Sequence, residues 1–198
     1  MLPAAGTTIS RNSARDKVIP EKRVMMKYIY RDMVSAAEYL PLGLALGLPI
    51  AMILLCLSGR DGERKKRVVS MIPIAIYAIY LAILLVITFF SRESGSRNGG
   101  MDMELFSTWG INTRNNAYVV ENVLLFVPYG FVCSWAFSWA RNFFACVLFG
   151  AATSVLVECL QLVTGRGFFQ IDDILTNILG TIVGFLLFWV CIGRKRGV

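Results

Sequence analysis

Histidine is absent from the 198-residue chain. With it go Ser-His triads, histidine general acid–base catalysis and histidine metal ligation. Cysteine is scarce and scattered: Cys56, Cys133, Cys146, Cys159 and Cys191 all lie in apolar segments, and no CxxC pair occurs. Neither a disulfide framework nor a thiolate metal site is indicated, and the five read as packing residues. A soluble basic face is also lacking. The formal charge of +7 sits in short Lys/Arg clusters beside apolar stretches, the pattern of topology signals and headgroup contacts rather than of nucleic-acid binding. The first apolar stretch begins near residue 39, after a long mixed-charge lead, so the layout is not that of a cleavable signal peptide.

What the chain does have is hydrophobic length. Hydrophobic residues make up 56% and the mean hydropathy is +0.61, too apolar and too clumped for an ordinary soluble domain. A hydrocarbon core of roughly 30 Å takes about 20 helical residues to cross. Val68 to Phe90, Val119 to Trp139, Phe143 to Val163 and Ile174 to Ile192 meet that length. A fifth stretch, Tyr39 to Leu57, carries Pro41, Pro49, Gly43 and Gly47, so crossing, kinking and re-entry all stay open. The expectation is an all-α integral membrane bundle of four to five transmembrane helices. It divides into a polar lead over residues 1–37, disordered or interfacial; a first apolar segment and basic loop over 38–67; a transmembrane domain over 68–193; and a basic tail over 194–198.

Lys/Arg-rich loops stay on the cytoplasmic side. Arg60, Arg64, Lys65, Lys66, Arg67, Arg141, Arg194, Lys195 and Arg196 fall at one end of the last four spans, and Arg92, Arg97, Arg114 and Arg166 at the other. Nine against four favours a cytoplasmic C-terminus, with residues 91–118 and 164–173 outside. Lys22, Arg23, Lys27 and Arg31 pull the lead toward the cytoplasm, in tension with a single crossing at Tyr39 to Leu57. Five crossings with an outside N-terminus are the expectation, with a re-entrant segment as the alternative.

Ionisable groups inside a span are costly and point to function or to a partner. Glu158 lies near the outer end of its helix, and Gln161 three residues on shares its face. The loop that follows carries Arg166, Gln170, Asp172 and Asp173 and leads into a helix bearing Asn177, Gly180 and Gly184. Positions 173, 177, 180 and 184 form one stripe. Its lower half has the small-residue spacing that lets membrane helices approach closely. Asn122 opens the outer end of an earlier span. At 1.5 Å per residue, Asn122, Glu158, Gln161 and Asn177 fall within roughly 10 Å of the outer boundary. Arg166 suits a carboxylate or a phosphate, and Asp172 with Asp173 suits a hard divalent cation or the orientation of that Arg. Plainer readings stand beside these: Asn122 and Asn177 as interhelical hydrogen-bond groups, Asp173 or Asp172 as a helix cap, Arg166 in a structural ion pair, Gly180 and Gly184 as packing.

Asn122-x5-Pro128-x-Gly130, then Glu158-x2-Gln161, then Arg166 and Asp172-Asp173-x3-Asn177-x2-Gly180, resembles the VanZ-like membrane proteins over residues from about 68 to 192. The resemblance implies a Gram-positive plasma membrane facing the cell wall and resistance to teicoplanin and related glycopeptides. It carries no established reaction. Members often have an acid at the position of Gln170, which puts a three-carboxylate loop in doubt here.

Three functions compete, and enzyme status stays open. An envelope-resistance protein would bind the antibiotic's lipid tail or alter its access to wall precursors. A membrane enzyme would act on a lipid-linked phosphate or sugar, with Arg166 on the headgroup, Asp172 and Asp173 on a cation or as base, and Glu158 as desolvated acid or base. A non-catalytic assembly subunit would use the cluster only to hold helices together. Membrane lipids are expected partners in each case, with a lipid-linked wall precursor or a glycopeptide in the first two. A channel or transporter ranks lower for want of an inverted repeat.

Overall fold

The computed structural model describes residues 20–57, 64–90 and 100–193. They form the helices α1 (Glu21–Ala37), α2 (Leu40–Leu57), α3 (Arg64–Phe90), α4 (Thr113–Ala136), α5 (Phe143–Val163) and α6 (Ile171–Phe188). A 3-10 turn, Trp139–Arg141, joins α4 to α5, and α6 runs on into a π-helical turn, Trp189–Gly193. Two short strands, β1 (Met101–Asp102) and β2 (Phe169–Gln170), pair in parallel, with Met101 opposite Phe169 and Asp102 opposite Gln170.

Leu40–Leu57, Val68–Phe90, Thr113–Ala136, Phe143–Val163 and Ile171–Gly193 are each long and apolar enough to cross a membrane. The shortest, with 18 residues, runs roughly 27 Å at 1.5 Å per residue. The protein is an all-helical, multi-pass membrane protein. The segment left open between crossing and re-entry is one continuous helix, α2, with Pro49 inside it. It lies antiparallel on α3, with Gly43 against Ile83 and Gly47 against Ile79. Of the polar lead, residues 21–37 form α1. Residues 1–19, the tail 194–198, and Arg60, Arg92 and Arg97 lie outside the described residues.

Five crossings put α1 at the end of the bundle that also holds the starts of α4 and α6. There Arg114 Nη1 lies 2.7 Å from Asp32 Oδ2, its guanidinium sits over the Tyr28 and Tyr118 rings, and Thr113 Oγ1 donates to Glu21 Oε1 at 3.2 Å. This end, with β1, β2 and their loops, is the loop face. The opposite end, at the Trp139–Arg141 turn, is the basic face.

Two reversals separate α4 from α6, so they run parallel, and their contact is backbone on backbone. A Cβ on Gly184 would strike the Val127 carbonyl and come within 2.8 Å of Phe131 N; one on Gly180 would strike the Val123 carbonyl. Between membrane helices, association depends on such close packing because lipid tails are as apolar as the side chains. Around this pair the core gathers Leu84, Phe126, Tyr129, Cys133, Val157 and Phe185. Its hydroxyls find partners, as burial demands. Tyr129 Oη shares a hydrogen bond with Thr153 Oγ1 at 2.7 Å, Tyr77 Oη donates to it at 3.3 Å, and Tyr80 Oη donates to the Leu125 carbonyl.

Candidate functional site

The polar residues of α5 and α6 occupy the layer just beneath the loop face. Ser154, Glu158 and Gln161 recur at four- and three-residue steps, so they line one face of α5, and all are buried. Asp173, Asn177, Gly180 and Gly184 do the same on α6. Asn177 Nδ2 donates to Ser154 Oγ at 2.9 Å, which joins the two faces. Asn177 Oδ1 is buried and accepts no hydrogen bond among the described residues. One turn above Ser154, Glu158 is 2% exposed, and its Oε2 accepts from the backbone N–H of Gln170 at 3.2 Å.

The end of α5 sets the position of Arg166. Gly165 adopts φ +62°, its N–H donates to Leu162 O at 3.1 Å, and Arg166 N donates to Gln161 O at 2.9 Å. This is a Schellman ending, whose left-handed residue is favourable as glycine. It sends Arg166 across to the end of α3. There Arg166 Nη1 donates to Phe89 O at 2.9 Å and the guanidinium lies over the Phe89 and Phe90 rings. Gln161 Nε2 donates to Thr88 O at 3.1 Å. A helix leaves its last carbonyls without partners and carries partial negative charge there. Gln161 and Arg166 therefore act as a side-chain cap on α3.

Asp172 faces the other way, into the loop between β1 and α4. Its Oδ1 accepts from Phe106 N at 2.7 Å, and its Oδ2 from Thr108 N at 2.9 Å and Thr108 Oγ1 at 2.6 Å, with Ser107 Oγ at 3.5 Å. Phe106 is held at φ +62° by this grip, a conformation that costs a non-glycine residue roughly 1–2 kcal/mol. Asp102 adds to it by accepting from Ser107 Oγ at 2.8 Å and Glu104 N at 3.1 Å. Gln170 sits at the N-cap position of α6 without a side-chain cap, and Asp172 and Asp173 both fall in the first turn. There their charge meets the positive end of the dipole.

A cation at Asp172 and Asp173 would need further ligands. N–H and O–H donors surround Asp172, and among the described residues no group of three His, Cys, Asp or Glu side chains converges. Asn122 is half-buried on α4, and none of the contacts above reaches it. The site thus divides into three connected parts: Ser154, Glu158 and Asn177 between α5 and α6; Gln161 and Arg166 on the end of α3; and Asp172 on the loop. Ser154 was legible in the sequence four residues before Glu158. The Ser107 and Thr108 partners of Asp172 had no such signal. Glu121 of α4 was legible beside Asn122 at the outer end of its span, but its position facing Asp32, Arg114 and Arg31 was not.

The loop that Asp172 holds is apolar and exposed. Met101, Met103, Leu105, Phe106, Trp109 and Ile111 are each between 40% and 69% exposed. Carried at the boundary of a membrane, such a surface meets acyl chains or another lipophile at small cost, whereas facing water it would be unfavourable.

A protein-family model described as VanZ/LLP1 matches residues 74–192, from within α3 into the π-helical turn that follows α6. No curated protein and no solved structure matches the chain.

Proposed function

Because the chain belongs to the VanZ/LLP1 family, we propose that it works in a bacterial plasma membrane, where it lowers sensitivity to teicoplanin-type glycopeptides by engaging their lipid tail at the outer leaflet. The observation that carries this reading is the apolar loop from Met101 to Ile111, fixed by Asp172 above a buried polar layer. A lipid tail would lie against Phe106 and Trp109, which form an edge-to-face pair at 5.3 Å. The Lys/Arg bias along the sequence supports an outward loop face, and lipid-linked wall precursors at that leaflet are the competing ligands.

A specific observation also favours an enzyme on a lipid-linked phosphate or sugar: Glu158 is a carboxylate held almost wholly out of solvent. Such a group can act as acid or base.

Susceptibility of cells carrying variants, with membrane abundance measured alongside, separates the two. For lipid-tail binding, Phe106→Ser with Trp109→Ser abolishes protection against a lipidated glycopeptide, and Glu158→Gln leaves most of it. Truncating two aromatic contacts of roughly 1.5 kcal/mol each corresponds to about a hundredfold in affinity. Full protection in the loop variant at normal abundance would refute the binding role. Loss of protection in Glu158→Gln at normal abundance, with a changed lipid-linked intermediate in extracts, would establish the enzyme instead.

A further inference from the structure

At the basic face, a groove of about 460 Å³ opens between the start of α5 and the end of α6, lined by Arg141, Asn142, Phe143, Phe185, Leu186 and Trp189. Its chemistry is uneven. Phe143 and Phe185 meet edge to face at 5.5 Å and form an apolar wall, while Leu186 and Trp189 are half exposed on the outward side. Arg141 supplies the cation. Its Nε is buried and has no hydrogen-bond partner, and no carboxylate pairs with its guanidinium among the described residues. Arg114 Nη1 is likewise buried without a hydrogen bond, but it lies 2.7 Å from the Asp32 carboxylate, and Arg166 has the Phe89 carbonyl; Arg141 has neither kind of neighbour among the described residues.

The protein supplies no hydrogen-bond acceptor to Arg141 Nε and no carboxylate to its guanidinium, so the charge at the lining of the groove is left for an acceptor from outside. The surroundings specify that acceptor. Asn142 accepts from Ala145 N at 3.1 Å and so starts α5 beside Arg141, bringing the positive end of a 21-residue helix to the same place. The site therefore favours an anion. It opens toward lipid along Leu186 and Trp189, at the depth where tryptophan and arginine meet the headgroups. We propose that this groove holds an anionic phospholipid, with its phosphate on Arg141 and an acyl chain along Leu186 and Trp189. Planar guanidinium groups bind phosphate oxygens well. Basic pockets between membrane helices on the cytoplasmic side are suited to anionic lipids. The site is separate from the polar layer of the loop face, and it stands or falls independently of any role in resistance.

The test uses the full chain in nanodiscs. Photoactivatable phosphatidylglycerol and photoactivatable phosphatidylcholine are compared for labelling of the Phe185 to Trp189 segment. One charge-assisted hydrogen bond of roughly 1.5 kcal/mol predicts about a tenfold preference for the anionic probe. Arg141→Gln should reduce that preference to near one, Arg141→Lys should keep most of it, and labelling elsewhere on α6 should not change. Equal labelling of the wild-type segment by the two probes would overturn the proposal without recourse to any variant. So would an undiminished preference in Arg141→Gln. Inorganic phosphate is the second arm. If the free anion raises the melting temperature of the wild type but not of Arg141→Gln in phosphatidylcholine discs, while phosphatidylglycerol shows no preference, the site takes phosphate and not lipid.

Discussion

Replacing Asp172 with Ala removes the acceptor for Phe106 N, Thr108 N and Thr108 Oγ1, three contacts between 2.6 and 2.9 Å. The Ser107 Oγ contact at 3.5 Å is too long to add much. Hydrogen bonds to a charged acceptor contribute about 1.5–3 kcal/mol each, and the low end applies because water can reach the released loop donors. The sum is roughly 4.5 kcal/mol, which corresponds to about a two-thousandfold rise in local opening. Phe106 would also relax from its left-handed conformation, which favours opening further. Asp172→Asn keeps one acceptor oxygen, which holds the Thr108 donors at the cost of Phe106 N, so its effect should be smaller than that of alanine and should fall on the Phe106 amide. Hydrogen exchange resolved at single amides is the appropriate assay, because it reports local and global opening separately. Exchange at Phe106 and Thr108 should accelerate to the limit set by an unprotected loop, while amides in α4 and α6 near Gly184 keep their wild-type rates. Unchanged exchange at Phe106 and Thr108 in Asp172→Ala would refute the clamp. A parallel rise in the helices would show that Asp172 supports the whole bundle and not the loop alone.

Gly184→Ala places a methyl group against the Val127 carbonyl and Phe131 N. Overpacking of this kind costs about 1–3 kcal/mol, read as a lower melting temperature in detergent; an unchanged melting temperature would mean that α4 and α6 do not approach so closely. Asp32→Asn removes the Arg114 pair at 2.7 Å; its side chains are partly exposed, at 22% and 29%, so the pair contributes about 1 kcal/mol, the upper end for pairs that water still screens. It should speed exchange in α1 by only a few-fold and leave α4 unaffected; release of α1 as a whole would show that this one ion pair holds it in place.

The membrane class, four of the five spans and the faces of α5 and α6 were decided within the sequence, whereas α2, with its prolines and glycines, became one continuous helix only in the fold. Apolar length and helical period depend only on residues close along the chain. Glu158 and Gln161 share a face for that reason, as do Asp173, Asn177, Gly180 and Gly184. The partners of these residues depended on which helices became neighbours. Asp172 is satisfied by Phe106 and Thr108, Gln161 and Arg166 by the last carbonyls of α3, and Gly184 by the backbone of α4. Each contact joins segments distant in the chain. The helix period fixes the direction of a side chain around its own axis, and only the packing of the bundle supplies what that direction meets.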